Sequence, residues 1–407
     1  MKRYESYKDS GVEWLGEVPS HWESFPLFVQ AKISSITNHI DKELLSVYLD
    51  RGVVRFSDVD EKRTNVTSLD LSKYQLVRKG NLVLNNQQAW RGSVGVSSYE
   101  GIVSPAYLIL ELSNKFDPHY ANYLFRNSSM VSHYLIASKG VGTIQRNLYW
   151  GNLRRTPIFI PPLSEQQKIS QFLDDKTAKI DQAVDLAEKQ IALLKEHKQI
   201  LIQNAVNRGL NPDMPLKDSG VEWIGQVPEH WEVKKLKYLA KIKSGDSIIN
   251  SNLSDEYLYE VFGGNGFMGY FYKYNVSGEN IIIGRVGALC GNIRYINEEK
   301  WITDNALILN LINLSKILYS YVSYVLKCAN LNTLSVSNAQ PLITGTKIMN
   351  ILIAIPPLSE QKQIIDYLDK QTAKIDQAIA LKTAHIEKLK EYKSVLINDV
   401  VTGKVRV

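Results

Sequence analysis

Two stretches of the chain repeat apolar residues every seven positions over roughly four heptads. In the first, Leu173, Ile180, Ala187, Leu194 and Leu201 form one row, and Val184, Ile191, Lys198 and Ala205 the interleaved one. In the second, Leu368, Ile375, Lys382, Leu389 and Leu396 are interleaved with Ile379, Ile386, Lys393 and Val400. A seven-residue repeat keeps its apolar side chains on one narrow stripe of a helix, so each stretch predicts a long helix whose stripe needs a partner. Two such stripes in one chain predict a pair of antiparallel coiled-coil helices. Lys198 and Lys393 occupy matching seam positions, where a polar residue costs stability but fixes register. Pro-Pro pairs precede both stretches, with Ser164 and Ser359 as expected N-caps; Gln167 would complete a capping box in the first copy, and Lys362 leaves it incomplete in the second. From Glu165 to Val206 the helix would run roughly 60 Å at 1.5 Å per residue, comparable with one to two turns of B-DNA at roughly 34 Å each.

Elsewhere the period shortens. Alternating or short apolar runs with Gly turns predict mixed sheet structure, interspersed with helices such as 119–137 and 315–330. The chain is also written twice. "KDSGVEWLGEVPSHWE" at 8–23 returns as "KDSGVEWIGQVPEHWE" at 217–232, and "IPPLSEQQKISQFLDDKTAKIDQAV" at 160–184 returns as "IPPLSEQKQIIDYLDKQTAKIDQAI" at 355–379. The offsets are 209 and 195 residues, so the interior of the second copy is 14 residues shorter. Inside, the likeness is faint: "NLVLNNQQAWRGSVG" (81–95) faces "NIIIGRVGALCGNIR" (280–294), and "VSPAYLIL" (103–110) faces "ITDNALIL" (302–309). The expected organisation is a joint segment (1–23), a first variable domain (24–159), a central repeat helix (160–210), a second joint (211–232), a second variable domain (233–354) and a C-terminal repeat helix (355–407). The fold class is α+β: two similar globular domains of mixed α/β structure separated by the two helices in a pseudo-two-fold, circular arrangement, with the termini close together. Trp14 and Trp22, and Trp223 and Trp231, are the expected apolar anchors of the joints.

A 407-residue chain with 44% hydrophobic and 22% charged residues is a folded protein of at least two domains. The N-terminus has no apolar signal core and no run is long enough to span a membrane, so a cytoplasmic location is expected. Two cysteines, Cys290 and Cys328, permit neither a disulfide framework nor a four-ligand zinc site. The net charge of +6 is unevenly placed: residues 24–160 hold 16 Lys and Arg against 10 Asp and Glu, and residues 233–355 hold 12 against 8. Positive charge concentrated in two blocks is what two surfaces facing a polyanion require.

Catalytic motifs are missing. No GxxxxGK[ST] loop exists, and "GNGFMG" (264–269) runs into β-rich rather than helical sequence, which makes it a turn and not a dinucleotide site. "NPDM" (211–214) is too far from an amino-methyltransferase motif, and the Glu-x-Lys triplets at 196–198 and 298–300 fall on the heptad helix and a polar turn. His21 and His230, each beside a Trp, fit structural hydrogen-bonders, and no metal site emerges.

The layout closely resembles the specificity (S) subunit of type I restriction-modification enzymes. The resemblance spans the whole chain and rests on the twice-written "PPLSEQ" opening twice-written helices; "VFGGNGFMGYF" (261–271) is also similar to a stretch of that family's target recognition domains. It implies a non-catalytic subunit that binds a split double-stranded DNA sequence through its two target recognition domains. It further implies that the helices dock two modification (methyltransferase) subunits, which restriction (motor-nuclease) subunits join, with S-adenosylmethionine, ATP and Mg2+ bound on those other chains. Asn/Gln and Arg side chains distinguish A and G in the major groove. Candidate readers are therefore Asn86, Gln87, Gln88, Trp90 and Arg91, then Gln145, Arg146 and Asn147, and in the second block Asn265, Arg285, Asn338 and Gln340. Lys234, Lys235, Lys237, Lys241 and Lys243 are candidate phosphate contacts. Two other readings stay open on sequence grounds: a coiled-coil scaffold whose globular blocks bind proteins, and a self-contained nuclease or methyltransferase.

Overall fold

The structure, a computed structural model, describes residues 2–12, 15–59, 70–141, 145–287, 289–335 and 341–407. It divides into two compact units, Met1–Ala187 with Ala384–Val407, and Glu188–Thr383. The central helix, Leu163–Arg208, has 46 residues and is about 69 Å long at 1.5 Å per residue; the C-terminal helix, Leu358–Val401, has 44. Each unit thus contains the first half of one long helix and the second half of the other. Among the described residues no helix is long and apolar enough to cross a membrane.

Each unit is built on the same four-stranded antiparallel sheet. In the first the order is Ala31–Ser34, Tyr107–Leu112, Leu82–Asn85, Val94–Val96; in the second it is Ala240–Ser244, Ala306–Leu311, Glu279–Gly284, Ile293–Asn297. The faint internal similarities are therefore the middle strands of these sheets, whose runs Leu82–Leu84 and Ile281–Ile283 are buried. Around the sheet the units differ. The first carries the hairpins Leu45–Tyr48 with Gly52–Arg55 and Ser138–Val141 with Gln145–Leu148. The second carries a three-stranded sheet in which Tyr259–Gly263 pairs with Gly266–Phe271 and, in parallel, with Trp301–Ile302.

The heptad stripes meet inside each unit. In the first, Ile169, Leu173 and Ile180 of the central helix share a core with Leu396, Val400 and Val401 of the C-terminal helix. In the second, Ile202, Ala205 and Val206 share one with Ile364 and Leu368. Early residues of one helix meet late residues of the other, so the pairing is antiparallel. Ile375 and Ile386 are buried, while Val184, Ile191, Leu194, Leu201, Ile379 and Leu389 are half-buried along the same stripe. The seam lysines reach across: Lys393 Nζ lies 2.7 Å from Asp181 in the first unit, and Lys198 Nζ 2.6 Å from Asp376 in the second. One cross-helix ion pair is thus written twice.

Four local expectations are corrected. Both long helices begin one residue before the serines, at Leu163 and Leu358, so Pro162 and Pro357 hold the cap position and accept from Glu165 N and Gln166 N, and from Glu360 N and Gln361 N. The capping box through Gln167 does not form, because Gln167 is exposed and its neighbour Gln166 turns inward. The helix expected over 119–137 is two, Pro118–Arg126 and Ser128–Ala137, because Asn127 is extended and caps the second by accepting from Met130 N. That expected over 315–330 is shorter, Tyr319–Cys328, with an extended Leu318 ahead of it.

The duplicated joint and "PPLSEQ" segments explain one another. Trp22 and Trp231 are almost wholly buried. Trp22 Nε1 donates to Glu165 at 3.1 Å, and Trp231 Nε1 to Glu360 at 3.0 Å. His21 and His230 place Nε2 at 2.8 and 2.6 Å from the other oxygen of the same carboxylates. A carboxylate in the first turn of a helix also faces the positive end of the helix dipole. The next residue, Gln166, accepts from Asp117 N at 2.8 Å and donates to the Lys115 and Pro161 carbonyls; Gln361 accepts from Leu318 N at 2.9 Å and donates to those of Lys316 and Pro356. Each Trp abuts the glycine that ends the opposite helix: a Cβ on Gly403 would lie 3.1 Å from Trp22, and one on Gly209 3.2 Å from Trp231. Both glycines have φ near +75°, the left-handed conformation that ends helices. Trp223 is half-buried, and Trp14 lies outside the described residues. In the first unit Lys2 bridges to Arg406, which brings the two ends of the chain together.

Candidate nucleic-acid interface

In the first unit the loop 86–93 joins two strands of the sheet, and it carries the first group of candidate readers. The hairpin Ser138–Leu148 carries the second. Leu148 N donates to the Asn86 carbonyl at 2.9 Å, which fastens the two together. Trp90, half-buried and tied by Nε1 to the Gln87 carbonyl at 2.9 Å, has two guanidinium groups near its ring centre, Arg91 at 4.5 Å and Arg146 at 5.9 Å. Gln87, Arg91 and Asn147 are exposed, and Asn86, Gln88 and Arg146 half-buried. Lys139, the register partner of Asn147, lies 5.7 Å from the Tyr149 ring. Among the described residues Arg91, Lys139 and Arg146 form no ion pair, so their charges are available to an anion. Gln145 is part of the hairpin strand, but its side chain lies outside the described residues.

The second unit repeats this join. Loop 285–292 occupies the position of loop 86–93 between the corresponding strands, and Ile343 N donates to the Arg285 carbonyl at 3.0 Å. Asn338 and Gln340, which immediately precede this join, lie outside the described residues. Arg285 directs Nη1 to Ser244 Oγ at 3.2 Å, while its Nε is buried without a partner. Asn265 is exposed at the two-residue turn between Tyr259–Gly263 and Gly266–Phe271, which is the turn expected for "GNGFMG". Glycine makes this assembly possible: a Cβ on Gly264 would lie 2.6 Å from the Asn305 carbonyl oxygen, and one on Gly284 2.5 Å from that of Gly264. The backbones cross so closely that Asn265 Oδ1 comes within 3.4 Å of where a Cβ on Gly287 would be. Lys243 is exposed on the sheet strand beside Ser244, and Lys241 two residues earlier on the same strand. Lys234 and Lys235 lie on a separate strand pair, Glu232–Lys235 with Leu352–Ile355, and Lys234 is ion-paired with Glu232. Lys237 is exposed in the turn that follows. The structure therefore gathers Asn265 and Arg285 and leaves Lys234 and Lys235 on a separate strand pair.

A family model described as the type I restriction modification DNA specificity domain matches residues 35–195 and again residues 228–391. The chain belongs to this family of type I specificity subunits. The type I restriction enzyme MjaVIII specificity subunit of Methanocaldococcus jannaschii is 25% identical to it, over 96% of this chain and 94% of that protein. Two solved structures share the fold. A chain from work on complex assembly and conformational transition of the type I R-M system superposes with a TM-score of 0.73 at 18% identity, covering 95% of this chain and 99% of that one. The HsdS subunit from Thermoanaerobacter tengcongensis gives 0.54 at 17% identity, with 95% and 98% covered.

Within this S subunit, sequence reasoning missed Lys139 and Arg294. Arg294 lies 4.5 Å over the Phe262 ring, beside the Gly266 turn, and forms no ion pair among the described residues. Neither carries a motif, although both are cations beside aromatic residues in the folded chain. Of the two Glu-x-Lys triplets, that at 298–300 is an ion-pair cluster in which Lys300 bonds Glu260 at 2.5 Å and Glu298 at 2.7 Å. Among the described residues no group of three or more His, Cys, Asp or Glu is placed to hold a metal ion. Burial raises the thiols: Cys328 is pushed up to about 12 and Cys290 above its usual value.

Proposed function

We propose that this S subunit reads a bipartite double-stranded DNA sequence, one half-site per unit, without performing chemistry itself. The observation that carries the reading is the join repeated in both units, Leu148 N to Asn86 O and Ile343 N to Arg285 O, which makes one reading surface out of loops distant in sequence. In the first unit this surface offers Asn and Gln amides for base edges and, for phosphates, three cations that form no ion pair among the described residues. In the second it offers Asn265, Arg285, Arg294 and Lys243. The helix pair is the spacer: 46 residues at 1.5 Å per residue match about two turns of B-DNA. The exposed helix faces dock two modification subunits, which restriction subunits join, and S-adenosylmethionine, ATP and Mg2+ act on those chains.

Footprinting of the complex assembled with its modification subunits tests this. Two protected half-sites with an unread gap are expected, with affinity falling linearly in log salt as counterions are released. Arg146→Ala should lower discrimination at one base pair of the first half-site by roughly 1–3 kcal/mol if it reads a base. If instead it contacts phosphate, it should weaken all sequences equally and reduce the salt slope by about one. Continuous protection, or binding that ignores both sequence and salt, would overturn the reading and favour a protein-binding scaffold.

A further inference from the structure

Resting on that reading, the second unit carries a feature beyond hydrogen-bonding side chains. The hairpin from Tyr259 to Phe271 turns at Gly264 and Asn265, and immediately after the turn it presents Phe267, 53% exposed, and Met268, 40% exposed. Large apolar groups at a hairpin tip are unfavourable in water unless something covers them. Phe267 is also held rather than loose. Its ring centre lies 6.0 Å from Phe262 and 5.2 Å from Tyr270, both edge-on, and Phe262 is in turn capped by Arg294 at 4.5 Å. The glycine crossing beneath the turn anchors the hairpin to the loop that carries Arg285. A rigid aromatic ring beside the Gly266 turn that Arg294 flanks, with Arg294 not spent on a carboxylate among the described residues, is complementary to a stacked, anionic partner.

We propose that Phe267 is an apolar wedge that enters a base step of the second half-site and partly unstacks it, so that this unit reads the deformability of its DNA as well as its base edges. Charge selects duplex DNA as the occupant: Arg294 lies beside the ring's turn and the loop of Arg285 crosses beneath it, and inserted Phe or Met side chains are a known means of kinking a duplex at flexible pyrimidine–purine steps. Asn265, in the turn two residues before the ring, is placed to hydrogen-bond the edge of a base beside the opened step.

The test is a 2-aminopurine scan across the second half-site, using the complex of this chain with its modification subunits on its own bipartite duplex. The base to be methylated is left out, because extrusion for chemistry gives a signal of its own. The wild-type complex should brighten the probe several-fold at one step. Phe267→Ala should abolish that rise and weaken binding about tenfold, while the first half-site stays protected; Phe267→Leu, which keeps an apolar side chain, should retain most of both. Retained protection of the first half-site by Phe267→Ala shows that the first unit is intact, and unchanged amide protection in the strands around Phe267 shows that the second is folded. If no step brightens in the wild-type complex, or the signal survives Phe267→Ala, the wedge is wrong while bipartite reading stands. If the wild-type complex shows no bipartite footprint, the reading beneath it fails as well.

Discussion

Gln166 is fully buried, and its amide makes three hydrogen bonds: from Asp117 N at 2.8 Å, to the Lys115 carbonyl at 2.7 Å and to the Pro161 carbonyl at 2.8 Å. Gln166→Leu removes all three while nearly preserving volume, so the loss is one of polar pairing rather than of packing. At about 1–1.5 kcal/mol for each bond lost, with the partners left unpaired in the interior, the substitution should cost roughly 3–5 kcal/mol. That is a large part of the roughly 5–15 kcal/mol that holds a typical protein folded. Gln361→Leu breaks the same three bonds in the other unit, at 2.9, 2.8 and 2.9 Å, and should cost the same. Urea unfolding of the purified chain measures the total. Hydrogen exchange localises it, because the amide of Asp117 should lose protection in the first variant and that of Leu318 in the second, each without the other. A cost below about 1 kcal/mol for either, or protection unchanged at those two amides, would refute the claim that this glutamine fastens each variable block to its helix.

The cross-helix pairs are partly exposed, so a double-mutant cycle on Lys198 and Asp376 should give a coupling of only about 0.2–1 kcal/mol, and the same for Lys393 and Asp181. Both couplings should vanish in 1 M salt, and one that survives would mean the pairs are not solvent-screened. Desolvation pushes the thiol of the half-buried Cys328 up to about 12, so neither it nor the buried Cys290, which is also raised, should react with a disulfide reagent at neutral pH in the native chain; rapid release by either would contradict these raised values. Burial also lowers the His133 imidazole, which makes the folded state the weaker proton binder. Stability from this group is therefore complete above its unfolded value of about 6.5 and is lost as pH falls towards the folded value. His133→Asn should flatten that acid limb in urea titrations, and an unchanged slope would assign the limb to other groups.

The parts of this structure that repeat along the sequence were legible there. The stripe through Leu173, Ile180 and Leu194 announces a paired helix because packing repeats every seven residues, and the duplication announces two like units. Partners that are distant in sequence were not legible. Nothing in "PPLSEQ" says that its Glu seeks a Trp 143 residues earlier, or that its Gln seeks the backbone at 115–117. Ser164 fits the pattern of an N-cap, yet Pro162 takes that position because the helix must start early enough to turn both Glu165 and Gln166 inward. Of the candidate readers, residue type picked out Asn86 and Arg146 separately. What unites them is a backbone bond, which no side-chain pattern encodes, and a run of lysines says nothing about which strand pair Lys234 lies on.

The choice of fastenings bears on how one frame accepts two different blocks. Gln166 and Gln361 touch only main-chain groups of the blocks they hold, and Tyr120 and Tyr321 direct their hydroxyls to main-chain oxygens, Val401 at 3.3 Å and Val206 at 3.2 Å. Every residue offers such groups, so the side chains at 115–117 and 316–318 are not dictated by the join. Indeed they differ, Lys-Phe-Asp in one and Lys-Ile-Leu in the other. One side-chain join is also duplicated: Tyr123 donates to Asp174 at 2.7 Å and Tyr324 to Asp369 at 2.5 Å, with burial pushing both phenols up to about 12 so that they remain donors. A frame that grips backbone and two tyrosines per block leaves the far loops free to differ in length and chemistry. On that account Tyr123→Phe and Tyr324→Phe should each destabilise their own unit by about 1–2 kcal/mol without altering which bases are read, and a change in sequence preference would show the grip and the reading surface to be coupled.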